Sequence, residues 1–196
     1  MNSKYFILAG LLLVLSLAQA QETGELIDPR DGKKYTTITV KHELEGGVFI
    51  KRTWMTQNLN YQVKESFCYK NESAYCGAYG RLYTFKGAIE ACPEGWHVPT
   101  IAEWNLLFKT FGGQKEAGIS LQRGGQSGIN LDLGGFGDPG NVFKNIGISG
   151  NYWDAEKKSQ STAGLISVQK DSKEVYHSLI GNWHRNSCRC IQDYNY

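Results

Sequence analysis

The order of patterns along the chain predicts an α+β domain, with two helices packed on an antiparallel β-sheet and a long Gly-rich loop. Three observations predict it. Alternating β-branched runs occupy both ends of the chain, and two helical stripes lie between them. After those stripes, 12 of the 23 glycines fall in the 39 residues from Gly112 to Gly150. The bulk figures agree with a folded domain: 196 residues, 41% hydrophobic and 20% charged. No Gly-X-Y period and no sustained heptad is present, which excludes collagen and coiled coil. The 21 basic residues nearly cancel the 19 acidic ones and form no basic block, so no nucleic-acid partner is expected.

The first element is an expected secretory signal over residues 1–20. Lys4 supplies its charge, Phe6 to Leu17 its apolar core, and Ala18-Gln19-Ala20 a small-x-small cleavage site after Ala20. A helix over those twelve apolar residues spans about 18 Å, short of the ~30 Å a transmembrane anchor needs. No second apolar run is long enough, so residues 21–196 are expected to be one exported domain with no transmembrane segment, secreted or at the cell surface. Every cysteine lies beyond the signal, where disulfides persist.

Lys34 to Lys41 alternates and is rich in threonine, isoleucine and valine, the pattern of a strand. Glu45-Gly46-Gly47 turns the chain, and Val48 to Trp54 returns as the second strand of a hairpin. Asn58 to Cys76 shows no clean period. Leu82 to Ala91 is expected to be a helix, with Leu82, Phe85, Ala88, Ile89 and Cys92 on one side. Thr100-Ile101-Ala102-Glu103 is a capping box that opens a second helix. Ile101, Trp104, Leu107, Phe108 and Phe111 form its buried stripe, and Gly112-Gly113 stops it. The Gly-rich stretch carries no period and reads as a loop. Four short apolar runs follow as antiparallel strands: Asn151-Tyr152-Trp153, Gly164 to Val168, Val175 to Ile180 and Cys188 to Ile191.

The best ligand-binding chemistry lies in the C-terminal half. Aromatic rings offer flat apolar faces to sugar C–H groups, and amides supply hydrogen bonds. Trp183, His184, Tyr152 and Tyr176, with Asn182, Asn151 and Asn186 beside them, are the candidate site. Trp54, Trp96, Trp104 and Trp153 read as core. His42, His97, His177 and His184 fit no zinc spacing, and His97 reads as a structural residue near the second helix. No Gly-x-Ser-x-Gly elbow is present. Asn130, Asp132, Asp138 and Asn141 could offer oxygen to calcium, yet the regular acidic spacing of a calcium loop is missing, so no cofactor and no metal is expected. Cys68 and Cys76, eight apart across a loop, could close a small ring.

Four segments carry a family resemblance: Asp28-Pro29-Arg30-Asp31-Gly32-Lys33-Lys34-Tyr35, Trp54-Met55-Thr56-Gln57-Asn58-Leu59-Asn60-Tyr61, Tyr79-Gly80-Arg81-Leu82-Tyr83-Thr84-Phe85, and Ala91-Cys92-Pro93-Glu94-Gly95-Trp96-His97-Val98-Pro99-Thr100 with Glu103-Trp104. Tyr152-Trp153 and Cys188-Arg189-Cys190-Ile191 complete the pattern. Over residues 27–193 the chain resembles the Fibrobacter succinogenes major paralogous domain, a family of exported bacterial domains with no established activity to carry over. The family layout is similar to the C-type lectin-like fold, in which a cysteine ending the first helix pairs with one in the final strand. That resemblance implies a Cys92–Cys190 bridge and a ligand site in the long loop. It leaves Cys188 as the free cysteine, at a position where the family usually has an aliphatic residue. Re-pairing with Cys92 and an intermolecular bridge are the alternatives. The calcium-lectin triplets Glu-Pro-Asn, Gln-Pro-Asp and Trp-Asn-Asp are absent, and the nearest string is Asp138-Pro139-Gly140-Asn141.

The expectation is therefore a non-enzymatic binding or adhesion module whose partner is a glycan or a cell-surface protein. One alternative is a structural envelope protein without a dedicated ligand. The other is a thiol or copper enzyme distantly similar to formylglycine-generating enzyme, using Cys188 and Cys190.

Overall fold

A computed structural model of the protein describes residues 22–194, and the expected signal over residues 1–20 lies outside them. Strand β1 (Glu22–Ile27) pairs antiparallel with β2 (Lys34–Glu43), and the Glu45–Gly47 turn leads into β3 (Phe49–Met55). Then come β4 (Ser66–Phe67), α1 (Ser73–Tyr79), β5 (Leu82–Tyr83), α2 (Phe85–Ala91), β6 (Trp96–His97) and α3 (Ile101–Thr110). Next are α4 (Ala117–Leu121), β7 (Gly134–Asp138), β8 (Val142–Ile146) and β9 (Ser149–Lys157). The last four are β10 (Thr162–Gln169), β11 (Val175–Gly181), β12 (Asn186–Ser187) and β13 (Ile191–Gln192).

This architecture corrects the expected fold class. The described chain is about 40% strand and 20% helix, arranged as two curled sheets that each form a half-barrel. It is not an α+β, C-type lectin-like layout of two helices on one antiparallel sheet. One sheet runs β1-β2-β3-β13-β6, and the other β11-β10-β9-β12-β5-β4 with β7 and β8 attached. The second sheet is mixed, because β9 pairs in parallel with both β12 and β7.

Three local readings fail for non-local reasons. Leu82–Tyr83 is not the start of a helix, because β12 and β4 claim its backbone as the strand β5 between them. The helix begins at Phe85, three residues later than expected, with Thr84 as N-cap accepting from the Gly87 amide. The stretch from Gly112 to Gly150 is no loop: it builds α4, the β7–β8 hairpin and the start of β9. Its glycines hide the strand signal while allowing close backbone approach. Gly135 has φ +67°, and a Cβ there would lie 2.3 Å from the Lys144 carbonyl oxygen. Cys188 to Cys190 is not itself a strand but the step between β12 in one sheet and β13 in the other.

The core forms where α3 lies between the sheets. Its capping box is complete, with the Thr100 hydroxyl accepting from the Glu103 amide and the Glu103 carboxylate accepting from the Thr100 amide. Trp104, Leu107 and Phe108 then pack against Ile38, Val40 and Trp54 of the first sheet and Tyr152, Ile166 and Val168 of the second. The Trp54 and Trp104 rings are 5.0 Å apart. Burying an aromatic of this size removes roughly 150–250 Å² from water, about 4–6 kcal/mol of gross stabilisation. A second cluster under α2 joins Tyr83, Phe85, Ala88 and Ala91 to Trp153, Cys188 and Cys190.

Arg189 anchors the step between the sheets. It is fully buried, and its two terminal nitrogens donate to the carbonyls of Met55, Ile129 and Asn130 and to Asn58 Oδ1. No described helix is long and apolar enough to cross a membrane.

Candidate functional site

The turn after β11 presents the most accessible tryptophan of the described chain. The His184 amide donates to the Gly181 carbonyl at 3.0 Å, closing the turn around Asn182 and Trp183. Asn182 is fixed on both sides. Its amide donates to Ser161 O, its side chain donates to Gln160 O, and its carbonyl accepts from the Phe85 amide that opens α2. Gly181 makes room for the indole, since a Cβ there would lie 2.5 Å from the Trp183 ring. The ring therefore lies against the main chain, stacks on His184 at 6.1 Å and remains 51% exposed.

Beside Trp183 lies a groove of about 490 Å³, lined by Glu65, Thr84, Phe85, Lys86, Ile89, Glu90, Lys157, Asn182 and Trp183. Helix α2 supplies the apolar floor through Phe85 and through Ile89, which is half-exposed. The rim carries Lys86 within 3.8 Å of Glu65 and 4.0 Å of Glu90, while Thr84 donates its hydroxyl to Glu65. Lys157 adds a second positive charge. Two carboxylates thus face two ammonium groups, and the rim is neutral. Such a groove suits an uncharged, amphipathic ligand.

Of the residues singled out in the sequence, Trp183 and Asn182 line this groove. His184 backs the indole and turns its Nδ1 to Asp138, 2.9 Å away. Tyr176 stands exposed on β11, with its hydroxyl on Glu174, and does not line the groove. Asn151 and Tyr152 are buried in β9. Tyr152 donates to the Asp132 carbonyl, and burial drives its phenol strongly up. Asn186 is buried on β12. These three belong to the interior.

Glu65 and Lys157 carry no local mark, because only tertiary packing brings the segment before β4 and the end of β9 to α2, while Lys86 and Glu90 are exposed residues of α2 itself. Ile89, expected on the buried side of its helix, is half-exposed. The available signal was the small pair Gly87 and Ala88: a seven-residue helix packed through Phe85, Gly87, Ala88 and Ala91 leaves Ile89 outside.

The four candidate calcium ligands each have a protein partner. Asn130 Oδ1 accepts from the Gly124 amide, and Asp132 pairs with Arg123. Asp138 pairs with Lys144 and contacts His184, and Asn141 Oδ1 accepts from Arg185. Lys144 is the main reason the Asp138 carboxyl titrates below its usual range.

Both bridges are formed: Cys68 with Cys76 and Cys92 with Cys190. Cys188 is a buried thiol whose Sγ lies 3.8 Å from that of Cys92. Burial pushes it up to about 12, so it is not a ready nucleophile at neutral pH. One further acid–base pair stands out. Nε2 of His177 lies 2.8 Å from the fully buried Asp154, whose carboxyl burial pushes up against the pull of the imidazole.

A family model described as the Fibrobacter succinogenes major domain matches residues 49–192, which include every residue of the groove. Among curated proteins and solved structures, nothing matches the chain.

Proposed function

The chain belongs to the Fibrobacter succinogenes major domain family, and from the groove this domain builds we propose that it is a non-enzymatic binding module for an uncharged glycan outside the cytoplasm. One observation carries the reading: the Trp183 indole, 51% exposed, is pinned on Gly181 beside an apolar floor with a charge-balanced rim. A pyranose ring stacks its C–H face on such an indole, and its hydroxyls reach Asn182, Glu65 and Lys157. A ring already fixed loses little side-chain freedom on binding, which preserves affinity. The pattern of residues 1–20 and the two bridges support an exported address.

The test is retention on a neutral-glycan array and on insoluble cellulose, comparing the wild type with Trp183→Ala. The reading expects binding that survives chelators, because no metal takes part, and at least a tenfold loss in the variant with unchanged thermal stability. Wild-type protein that is not retained on any neutral glycan, or a variant retained equally well, overturns it.

A further inference from the structure

We propose that the cleft around Arg123 is a second binding site, for a carboxylate-bearing sugar chain of the uronic acid class. The cleft has two lobes, of about 470 and 330 Å³. Both are lined by Ala78, Arg123 and Asp132, so they meet at the Arg123 side chain. The larger lobe reaches Lys33 and Lys34, and the smaller one is walled by Tyr79, Leu131 and Leu133. Neither shares a lining residue with the groove beside Trp183, so the two sites are independent.

Arg123 is held from behind. Its Nε donates to the buried Asp132 carboxylate, and its Nη2 donates to the Ala78 carbonyl at 3.4 Å. The guanidinium side chain itself is 67% exposed, and no described residue accepts from its Nη1. A guanidinium carries five N–H donors in a rigid fork whose geometry matches a carboxylate. Two of the five are engaged in fixing the fork, and the rest are left for a ligand. A charge-assisted bond to a fork already oriented is strong and costs little side-chain freedom.

The lining selects both the charge and the sugar. Three cations, Lys33, Lys34 and Arg123, stand against one carboxylate, Asp132. Lys33 pairs with Asp31 at 2.6 Å and Lys34 with Glu25 at 3.1 Å, both outside the lining. Both lysines are solvent-exposed, and exposed pairs contribute little, so a bound carboxylate can draw either lysine to itself. Between the cations the lining is Gln57, Asn58 and Asn60, with the buried Tyr35. The Tyr35 hydroxyl accepts from the Asn60 amide at 3.1 Å, and no described residue accepts its proton. A buried donor left without a protein acceptor beside a polar cleft suits a sugar oxygen. Two lobes that meet at one cation suit a chain passing over Arg123 better than a single small acid.

Calorimetric titration with tri-galacturonate tests this, with tri-galactose and tri-glutamate as probes of the charge and of the sugar. The proposal expects tri-galacturonate to bind at least tenfold more tightly than either. Arg123→Gln alone would strand the buried Asp132, so it is combined with Asp132→Asn, and circular dichroism verifies the fold. That double variant keeps the net charge, so its expected loss of at least fivefold reports the placed fork rather than general attraction. Lys33→Gln with Lys34→Gln touches only exposed pairs and should weaken binding at least threefold at an unchanged melting temperature. Trp183→Ala should bind as the wild type does. No binding of tri-galacturonate by the wild type, equal binding by both double variants, equal affinity for tri-glutamate, or loss of binding in Trp183→Ala overturns the proposal.

Discussion

Nε2 of His97 sits between the two carboxylate oxygens of Glu103, 3.0 and 3.1 Å away, while its Nδ1 faces Asp193. One imidazole thus ties the start of α3 to the segment after β13. The hydrogen bond to Glu103 is the main cause that raises His97 above the ordinary 6.5. Burial pushes the Glu103 carboxyl up, but His97 and Thr100 together hold it below the ordinary 4.5. The raised His97 contributes stability that is full below 6.5 and is lost as pH rises through its folded value. The lowered Glu103 contributes above 4.5 and loses that contribution as pH falls through its own folded value. His97→Gln is expected to cost about 1–2 kcal/mol near pH 6 and clearly less at pH 9. Urea titrations at both values check this, and an equal cost at both would remove the imidazolium from the account.

His42 opposes it. Burial, helped by Arg52, lowers this histidine to about 4, and its Nδ1 lies 2.6 Å from the Thr110 hydroxyl at the end of α3. A depressed histidine contributes stability above its unfolded value of 6.5 and loses it as pH falls toward about 4. His42→Gln should flatten the acid limb of the stability curve between those values. Thermal melts of the variant from pH 7 to pH 4 test this, and an unchanged acid limb refutes it.

The two bridges differ in the loops they close. Loop entropy gives roughly 4–5 kcal/mol for Cys92–Cys190, with a separation of 98, and roughly 2–3 kcal/mol for Cys68–Cys76, with a separation of 8. Replacing the first pair by alanine is expected to destabilise the protein by about 2 kcal/mol more than replacing the second. Denaturant midpoints of the two double variants decide it.

Removing the Arg189 side chain strands four acceptors at once: the carbonyls of Met55, Ile129 and Asn130 and the Asn58 amide oxygen. Arg189→Ala should cost at least about 3 kcal/mol, and Arg189→Lys most of that, because an ammonium cannot reproduce the planar fork. A urea midpoint shift worth under about 1 kcal/mol would contradict this account.

Gly181→Ala probes how the exposed indole is held. The added methyl would lie 2.5 Å from the ring, so Trp183 swings away from the main chain. Stability should change by less than about 1 kcal/mol, since the ring is half-exposed. Tryptophan emission is expected to shift red and become more quenchable by acrylamide, with loss of glycan retention. An unshifted spectrum would show that the ring is not seated on Gly181.

What could be read from the sequence was what short-range chemistry determines. Thr100 and Glu103 announce α3, and the Trp104–Phe108 stripe says which side it buries, since both signals are complete within one helix. Thr37, Ile38 and Val40 mark β2 in the same way. The failures share one cause. Leu82 and Tyr83 look helical until β12 arrives from the far end of the chain, and β7 is built largely of glycines that carry no hydropathy pattern. The site divides along the same line. Trp183 and Asn182 stand in a polar turn whose composition marks it, whereas Glu65, Ile89 and Lys157 reach the groove only after the sheets have formed.

Residues 186–192 enter both sheets. Ser187 pairs with Leu82 and Tyr152 in one, and Ile191 with Trp54 and His97 in the other. β13 alone joins β6 to the β1–β2–β3 meander, and β12 alone joins the β5–β4 pair to β9. The local meanders can pair early, but neither sheet reaches its full strand order until these last described residues arrive.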